Sequence, residues 1–242
     1  MRRTIRPVLR LAVTVTGTLW AQVQQAESQD PVFSNPPMLS SRDGKLNVDL
    51  VAAPGVYTLD GHQFQGMLYN GAYIPPIWSV RLGDTVTVTL HNHLSEPTNL
   101  HFHGLGVSPL GNGDNVFLHV RPGDTYTYHV KIPEKHIGLF WFHPHMHGNV
   151  DVQIIGGMSG GIIVQGSERS IPPSETSLSG SSSLSTIQLG GRTMRNWSRV
   201  NGTVAPTYPI RPGEAQLWQM ANIGADRFLR VTVEGTPFLR HR

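Results

Sequence analysis

Short apolar runs alternate with polar residues along most of the chain, with a period of two. In residues 84–90 the valines and the leucine alternate with threonines. Successive side chains of a β-strand point to opposite faces, so this run predicts a strand with one apolar face. Residues 124–130 repeat the alternation, and residues 160–164 are a continuous run typical of a buried strand. No segment has a convincing helical period, and many short strands predict an all-β sandwich or barrel.

An internal repeat indicates two tandem domains of one fold. Four features of the first half recur in order in the second half, at an offset of 131 residues and then 130. They are Asn70-Gly71, Pro75, Arg81-x-Gly83-Asp84 and Asn92, repeated as Asn201-Gly202, Pro206, Arg211-x-Gly213-Glu214 and Asn222. The second copy ends at Arg242, well short of the length of the first, so we expect only part of its strands to be present.

Composition predicts the boundaries between these parts. Residues 1–26 combine a basic start with a modest apolar stretch, which predicts an export signal of the twin-arginine or general secretory kind. Such a signal implies a bacterial protein in the periplasm or outside the cell. Residues 27–44 are typical of a polar N-terminal arm, and residues 45–166 hold the first set of strands. Nine of the nineteen residues in 167–185 are serine, which predicts a linker, and residues 186–242 are the partial second domain.

The charge of the chain gives no reason to expect a nucleic acid partner. Without residues 1–26 the formal charge falls from +3 to −1, because that segment holds four arginines and no acidic residue. No later cluster of lysine or arginine offers a phosphate-binding surface. No apolar stretch is long enough to predict an integral membrane segment, and the absence of cysteine excludes disulfides.

The candidate chemistry lies in two short stretches that each contain histidines two residues apart. They are His101-Phe102-His103-Gly104 and Trp141-Phe142-His143-Pro144-His145-Met146-His147-Gly148. Residues two apart on a strand share a face, so each pair can direct two imidazoles at one point. Imidazole suits copper, zinc, iron and nickel. Four such donors from two strands predict part of a metal site.

The internal repeat favours a chemical role for the first pair. When the two copies are aligned on the glycine that ends each stretch, His101 and His103 correspond to Thr232 and Glu234. The repeated fold therefore does not require histidine at these positions, which disfavours a role in packing alone.

Beyond these histidines, the chain resembles the first cupredoxin domain of the multicopper oxidases, the laccase-like enzymes. The resemblance runs over about a hundred residues, and residues 197–238 resemble the start of the family's second cupredoxin domain. The matching stretches are Tyr69-Asn70-Gly71, Arg81-x-Gly83-Asp84-Thr85, Leu100-His101-Phe102-His103-Gly104, Pro109-x-Gly111-x-x-Asp114-Asn115, Trp141-Phe142-His143-Pro144-His145, Gln153 and Gly156-Gly157-Met158-x-Gly160. The resemblance implies a cupredoxin-like Greek-key β-barrel or sandwich, followed by a partial second one.

The resemblance also implies a reaction and a set of ligands. In this family a type 1 copper takes single electrons from a reducing substrate, and a trinuclear cluster of one type 2 and two type 3 coppers reduces O₂ to water. It implies that His101 binds the type 2 copper, and that His103, His143 and His145 bind the type 3 pair. It further implies a position near the cluster for Asp114, as a proton donor.

The sequence departs from the family in the rest of the copper ligands. The family's other ligands come from a C-terminal His-x-His and a His-Cys-His motif, and neither occurs in these 242 residues. Without cysteine the type 1 site does not form, and four imidazoles do not hold three copper ions in the family's arrangement. We therefore expect no oxidase turnover from this chain alone. We expect the chain to be a fragment, a truncated product or a frameshifted product of a longer protein. O₂ and a reducing substrate would be partners only if the missing domains are supplied.

Two other functions stay open at this stage. One is a non-catalytic cupredoxin-like protein that binds copper in storage or tolerance. The other is a zinc hydratase or hydrolase, which needs a third histidine at the same centre and a nearby general base. Among the remaining histidines, we expect His147 to lie in the loop beside the site rather than bind metal. We expect His91 and His93 to face solvent at the end of a strand.

Overall fold

A computed structural model describes residues 31–59, 61–166, 182–189, 198–208 and 217–225. The predicted export signal, the first residues of the predicted arm, and most of the predicted linker lie outside the described residues. Within the described ranges no helix is long and apolar enough to cross a membrane.

The described residues form twelve strands and one short helix. They are β1 (Met38–Ser40), β2 (Lys45–Leu59), β3 (His62–Tyr69), β4 (Ile77–Val80), β5 (Thr85–Asn92), β6 (His101–His103), β7 (Thr125–Lys131), β8 (Gly138–His143), α1 (Val150–Gly156), β9 (Gly160–Val164), β10 (Ser182–Leu189), β11 (Ser198–Val200) and β12 (Leu217–Asn222). The all-β prediction is therefore confirmed.

Two sheets enclose the main core. The first has the strand order β3-β2-β5-β7, in which β5 runs parallel to β2 and antiparallel to β7. The second has the order β1-β4-β9-β8-β6. In it β4 runs parallel to β1 and β9, and β8 runs antiparallel to β9 and β6. Apolar side chains from both sheets belong to one buried cluster, so the sheets pack face to face as a sandwich. A third sheet, ordered β11-β10-β12, lies in the second half of the chain.

The alternation of apolar and polar residues predicted β5 correctly. Val86, Val88 and Leu90 are buried, whereas the three threonines between and before them are half-buried. The valines and the leucine therefore line the core, and the threonines lie on the other face of the sheet.

The two Asn-Gly pairs of the internal repeat adopt the same backbone conformation. Asn70 and Gly71 have φ angles of 51° and 70°, and Asn201 and Gly202 have φ angles of 50° and 82°. Each pair is flanked by an antiparallel bridge, as in a two-residue hairpin turn. Asparagine and glycine tolerate positive φ better than other residues, which explains why this dipeptide stands at both turns.

Two segments differ in detail from the sequence-based expectations. Part of the predicted polar arm, Met38–Ser40, is β1 and pairs with the edge of the second sheet. The last residues of the predicted linker, 182–185, belong to β10.

Helix α1 was not predicted from the sequence. It has seven residues and ends at Gly157, whose φ of 118° stops the helix and whose N–H bonds to the carbonyls of Gln153 and Ile154. Seven residues are fewer than two full turns, so no helical period is visible.

Candidate metal centre

Strands β6 and β8 place the two histidine pairs side by side. They run antiparallel, with His101 opposite His143, Phe102 opposite Phe142 and His103 opposite Trp141. Because side chains alternate along a strand, both phenylalanines turn to one face and the histidines to the other. Both phenylalanines are buried in the main core, and Phe142 stacks on Trp78 with ring centroids 3.9 Å apart. Burial of the phenylalanines therefore directs the histidines away from the core.

The four predicted imidazoles lie together on this outward face. The ring centroid of His101 lies 5.4 Å from that of His103, 5.3 Å from that of His143 and 5.2 Å from that of His145. One nitrogen each from His101, His103 and His143 lies within 4.8 Å of the other two. His145 follows directly after β8 and joins the group through its contact with His101.

Hydrogen bonds to Nδ1 fix which nitrogen is free in two of the rings. Nδ1 of His101 lies 2.9 Å from Oδ2 of Asp114, and Nδ1 of His143 lies 2.8 Å from the carbonyl oxygen of Pro144. Carboxylates and carbonyls only accept hydrogen bonds, so both Nδ1 atoms carry the proton. In the neutral form of each ring Nε2 then carries the lone pair, and Nε2 of His143 lies 3.2 Å from Nδ1 of His103. Histidines that bind metals are typically oriented in this way.

The Asp114 carboxylate connects the first strand to a neighbouring loop. Besides the hydrogen bond from His101, the carboxylate accepts one from the backbone N–H of Phe102 at 3.0 Å. The backbone N–H of Asp114 donates to the carbonyl of Ser108 at 2.8 Å. Its side chain is 10% exposed. Asp114 therefore contacts a predicted ligand directly and holds both the ring and the backbone of β6.

The environment favours the neutral form of two of the imidazoles, those of His143 and His103. Burial lowers the pKa of His143 to about 3, with further lowering from the three neighbouring rings, although the Pro144 carbonyl acts in the opposite direction. Partial desolvation and then the neighbouring His101 lower the pKa of His103. A metal ion binds the neutral form of histidine, so at neutral pH these lone pairs need no deprotonation step.

Trp141 lies on the histidine face of the β6–β8 pair, two residues before His143. Its ring stacks on His143 with centroids 4.0 Å apart and on His103 with centroids 5.0 Å apart. The register of β6 and β8 explains this position, because Trp141 is paired with His103. The indole therefore restricts the orientation of two imidazoles.

An unpaired buried nitrogen supports a metal at this place. Nδ1 of His145 is buried and has no hydrogen-bond partner among the described residues. Buried polar atoms in folded proteins nearly always have a partner, and one without a partner needs an explanation such as an ion. Three imidazoles whose nitrogens lie within 4.8 Å of one another, with a fourth ring beside them, fit copper, and they also fit zinc.

Three other histidines lie where the sequence predicted. His147 is exposed in the loop after β8, with its ring centroid 5.5 Å from that of His145 and 5.4 Å from that of Phe117. His91 is half-buried at the end of β5 and contacts the hydroxyl of Thr125 at 3.1 Å, and His93 is exposed.

Of the polar residues that support the site, sequence reasoning found Asp114 and Gln153 and missed Asn99 and Tyr128. The buried amide of Asn99 accepts the backbone N–H of His145 at 2.7 Å. The hydroxyl of Tyr128 accepts the backbone N–H of Leu100 at 3.0 Å, and burial raises the pKa of that hydroxyl. Gln153 of α1 accepts the hydroxyl of Thr98 at 2.9 Å. The position of Asn99, two residues before His101, was the only available signal.

Comparison with known proteins agrees with this fold. A family model described as multicopper oxidase matches residues 51–169. Copper resistance protein A of Escherichia coli is 32% identical over 136 residues, which cover 54% of this chain and 21% of that protein. The multicopper oxidase mco of Staphylococcus haemolyticus is 31% identical over 133 residues, which cover 54% of this chain and 29% of that protein. The chain thus spans less than a third of the length of these relatives.

A solved structure shows the same fold. The multicopper oxidase McoA of the hyperthermophile Aquifex aeolicus matches with a TM-score of 0.63 and 20% identity, over 81% of this chain and 46% of that chain. The predicted cupredoxin-like fold is therefore confirmed. From its matched region, its relatives and its fold, the chain belongs to the multicopper oxidase family.

Proposed function

We propose that the described histidines form part of the oxygen-reducing copper centre of a multicopper oxidase. In this proposal His101 binds the type 2 copper, and His103, His143 and His145 bind the type 3 pair. The observation that carries the proposal is that the rings of His103, His143 and His145 lie 5.4, 5.3 and 5.2 Å from the ring of His101.

Each side chain has a task in this proposal. Copper, when bound, supplies one-electron redox chemistry toward O₂. Asp114 keeps the proton of His101 on Nδ1, so that Nε2 faces the metal. The carbonyl of Pro144 does the same for His143, and Trp141 restricts both His143 and His103 by stacking. A proton-donor role for Asp114 requires that its carboxylate first become protonated.

The activity of the whole protein follows as a proposal from its family. It is the oxidation of a reducing substrate coupled to reduction of O₂ to water. The 242 residues contain no cysteine, so the cysteine of a type 1 site would come from protein outside them. The remaining cluster ligands would come from the same source.

We also propose the domain organisation and the location given by the sequence. The parts are an export signal in 1–26, an arm in 27–44, a copper-binding cupredoxin domain in 45–166, a linker in 167–185 and part of a second cupredoxin domain in 186–242. The basic start and the apolar stretch of the first part support export to the periplasm or beyond.

A copper-binding role without catalysis is the second candidate. The absence of cysteine favours it for these residues taken alone. The relative from Escherichia coli is named a copper resistance protein, which agrees with a role in handling copper. The two candidates share the same ligands and differ in whether O₂ is consumed.

A zinc enzyme is the third alternative, and His145 separates it from the copper proposals. His101, His103 and His143 alone satisfy the three-histidine requirement of a zinc site. Copper generally binds nitrogen ligands more tightly than zinc does, so affinity alone does not decide. A three-histidine zinc site does not require His145, whereas the proposed copper set does.

Copper binding to the full chain tests the proposal. Equilibrium dialysis with metal analysis is run on the wild type, on the four single alanine variants of the predicted ligands, and on His91→Ala as a control. We expect lower copper affinity for all four variants, including His145→Ala, and no change for the control. Equal copper binding in all six proteins would contradict the proposal. Unchanged binding in His145→Ala alone would favour a site of three histidines over the proposed set of four.

A further inference from the structure

The buried amide of Asn99 connects His145 to the loop that follows Asp114. Its side chain is 0% exposed, and its Oδ1 accepts the backbone N–H of His145 at 2.7 Å. Its Nδ2 donates to the carbonyls of Val116 and Leu118 at 2.9 and 3.0 Å. Both donor hydrogens of the amide and its acceptor oxygen are therefore used.

The other three histidines are held by contacts of their rings, whereas His145 is held through its backbone N–H. The ring of His101 is held by Asp114, that of His143 by the Pro144 carbonyl, and that of His103 by stacking on Trp141. The buried Nδ1 of His145 has no hydrogen-bond partner among the described residues. His145 also lies beyond the end of β8, where no strand pairing holds its backbone. Its position therefore rests on the hydrogen bond between its N–H and Asn99.

The Nδ2 of Asn99 affects His101 indirectly, through the loop that follows Asp114. The carbonyls of Val116 and Leu118 lie in the loop that begins at Asp114, and Asp114 holds His101. Because Asn99 binds this loop, it limits how far the Asp114 carboxylate can move. The Asn99 side chain thus restrains both the loop after Asp114, which holds His101, and the backbone of His145.

We propose that Asn99 is a positioning residue that sets the geometry of the metal site through His145 and through the loop after Asp114. This inference rests on the proposed function, because it concerns the same four histidines. Residues that orient metal ligands typically change metal affinity by about 10- to 100-fold when they are replaced.

Asn92 provides a matched control for Asn99. Its side chain is also 0% exposed, its Nδ2 donates to the carbonyls of Glu96 and Val120, and its Oδ1 accepts the N–H of Leu94. The two amides therefore make the same number and kind of hydrogen bonds. Asn92 contacts none of the four histidines through them, so Asn92→Ala reports the cost of losing such an amide without touching the site.

The test compares Asn99→Ala with Asn92→Ala in the full chain. Three quantities are measured: the thermal unfolding midpoint, the Cu(II) affinity with its paramagnetic resonance spectrum, and hydrogen exchange of the His145 amide without metal. We expect similar loss of thermal stability in both variants. We expect only Asn99→Ala to weaken copper binding, by about 10- to 100-fold, to change the spectrum, and to speed exchange at His145. Equal effects of both variants on copper and on exchange would overturn the inference.

A second variant keeps the test valid if Asn99→Ala does not fold. Asn99→Asp retains an oxygen for the His145 N–H but loses the amide donors to the loop. We expect it to leave exchange at His145 slow while it still alters the copper spectrum, and an unaltered spectrum would contradict the role of the loop. Wild-type protein that binds no copper at these histidines would refute the proposed function. The exchange measurement would still report whether Asn99 holds His145.

Discussion

The two faces of the β6–β8 pair are held in place by different forces. On the inner face, Phe102 and Phe142 are buried and are positioned by close packing against aromatic and aliphatic side chains. On the outer face, Nδ1 of His101 donates to the Asp114 carboxylate and Nδ1 of His143 donates to the Pro144 carbonyl. Packing is distributed over many weak contacts, whereas each hydrogen bond here has one partner. Inner-face changes should therefore alter stability, and outer-face changes should mainly alter metal binding.

The largest expected effect on stability is that of Phe142→Ala. Its ring is fully buried and stacks on Trp78, so truncation leaves a cavity in the core. Such a change typically costs about 3–5 kcal/mol in the free energy of unfolding. Urea denaturation of the full chain measures it. A loss below about 1 kcal/mol would show that packing does not hold the inner face.

The second effect is that of Asp114→Asn, which keeps the shape of the side chain and removes its charge. Asparagine replaces one of two acceptor oxygens with a donor, so it no longer accepts from both His101 and Phe102 equally well. We expect a loss of about 1 kcal/mol in the free energy of unfolding. We also expect copper affinity to fall by about 10- to 100-fold.

Asp84→Asn serves as the control for that variant. Asp84 is buried and accepts hydrogen bonds from Ser41 and from the backbone of Arg81, in a turn before β5. It should lose similar stability with no change in copper affinity. If both variants weaken copper binding equally, the effect of Asp114 on His101 is not specific.

The third effect is that of Trp141→Phe. Phenylalanine keeps an aromatic face against His143 and His103 but has less area to stack on them. Aromatic pairs contribute about 0.5–1.5 kcal/mol, so we expect a stability loss at the low end of that range. The change in copper affinity should be smaller than that of Asp114→Asn, and titration of both variants side by side checks this order. A larger effect than that of Asp114→Asn would mean that stacking orients the rings more strongly than hydrogen bonds do.

The smallest effect is that of His91→Ala. His91 is half-buried on a strand outside the site, and its side chain contacts Thr125 at 3.1 Å and Asp49 at 3.8 Å. Substitutions of this kind usually change the free energy of unfolding by less than about 0.5 kcal/mol. Copper affinity should stay unchanged, and a clear decrease would reveal a second copper site on the outer face of the first sheet.

The amino-acid sequence predicted those parts of the molecule that depend on local pattern. Alternation predicted β5, the apolar run predicted β9, and histidine spacing predicted that His101, His103, His143 and His145 lie together. Trp141 lies two residues before His143 on β8 and therefore shares its face, whereas its contact with His103 depends on how β6 and β8 align.

Other features depend on contacts between distant positions and leave no pattern in the chain. The hydrogen bond from His145 to Asn99 spans 46 residues, and no periodicity marks it. Helix α1 is too short for its apolar period to emerge from the neighbouring residues. Polar residues that support a site are therefore the part that sequence reasoning finds least easily.

X-ray absorption at the copper edge tests the central claim most directly. The full chain is loaded with copper and compared with a variant in which His101, His103, His143 and His145 are all replaced by alanine. We expect the wild-type spectrum to show nitrogen ligands at about 2.0 Å, with the outer-shell scattering of imidazole rings, and the variant to lose it. Imidazole scattering of equal strength in both proteins would mean that copper binds elsewhere and would contradict the account.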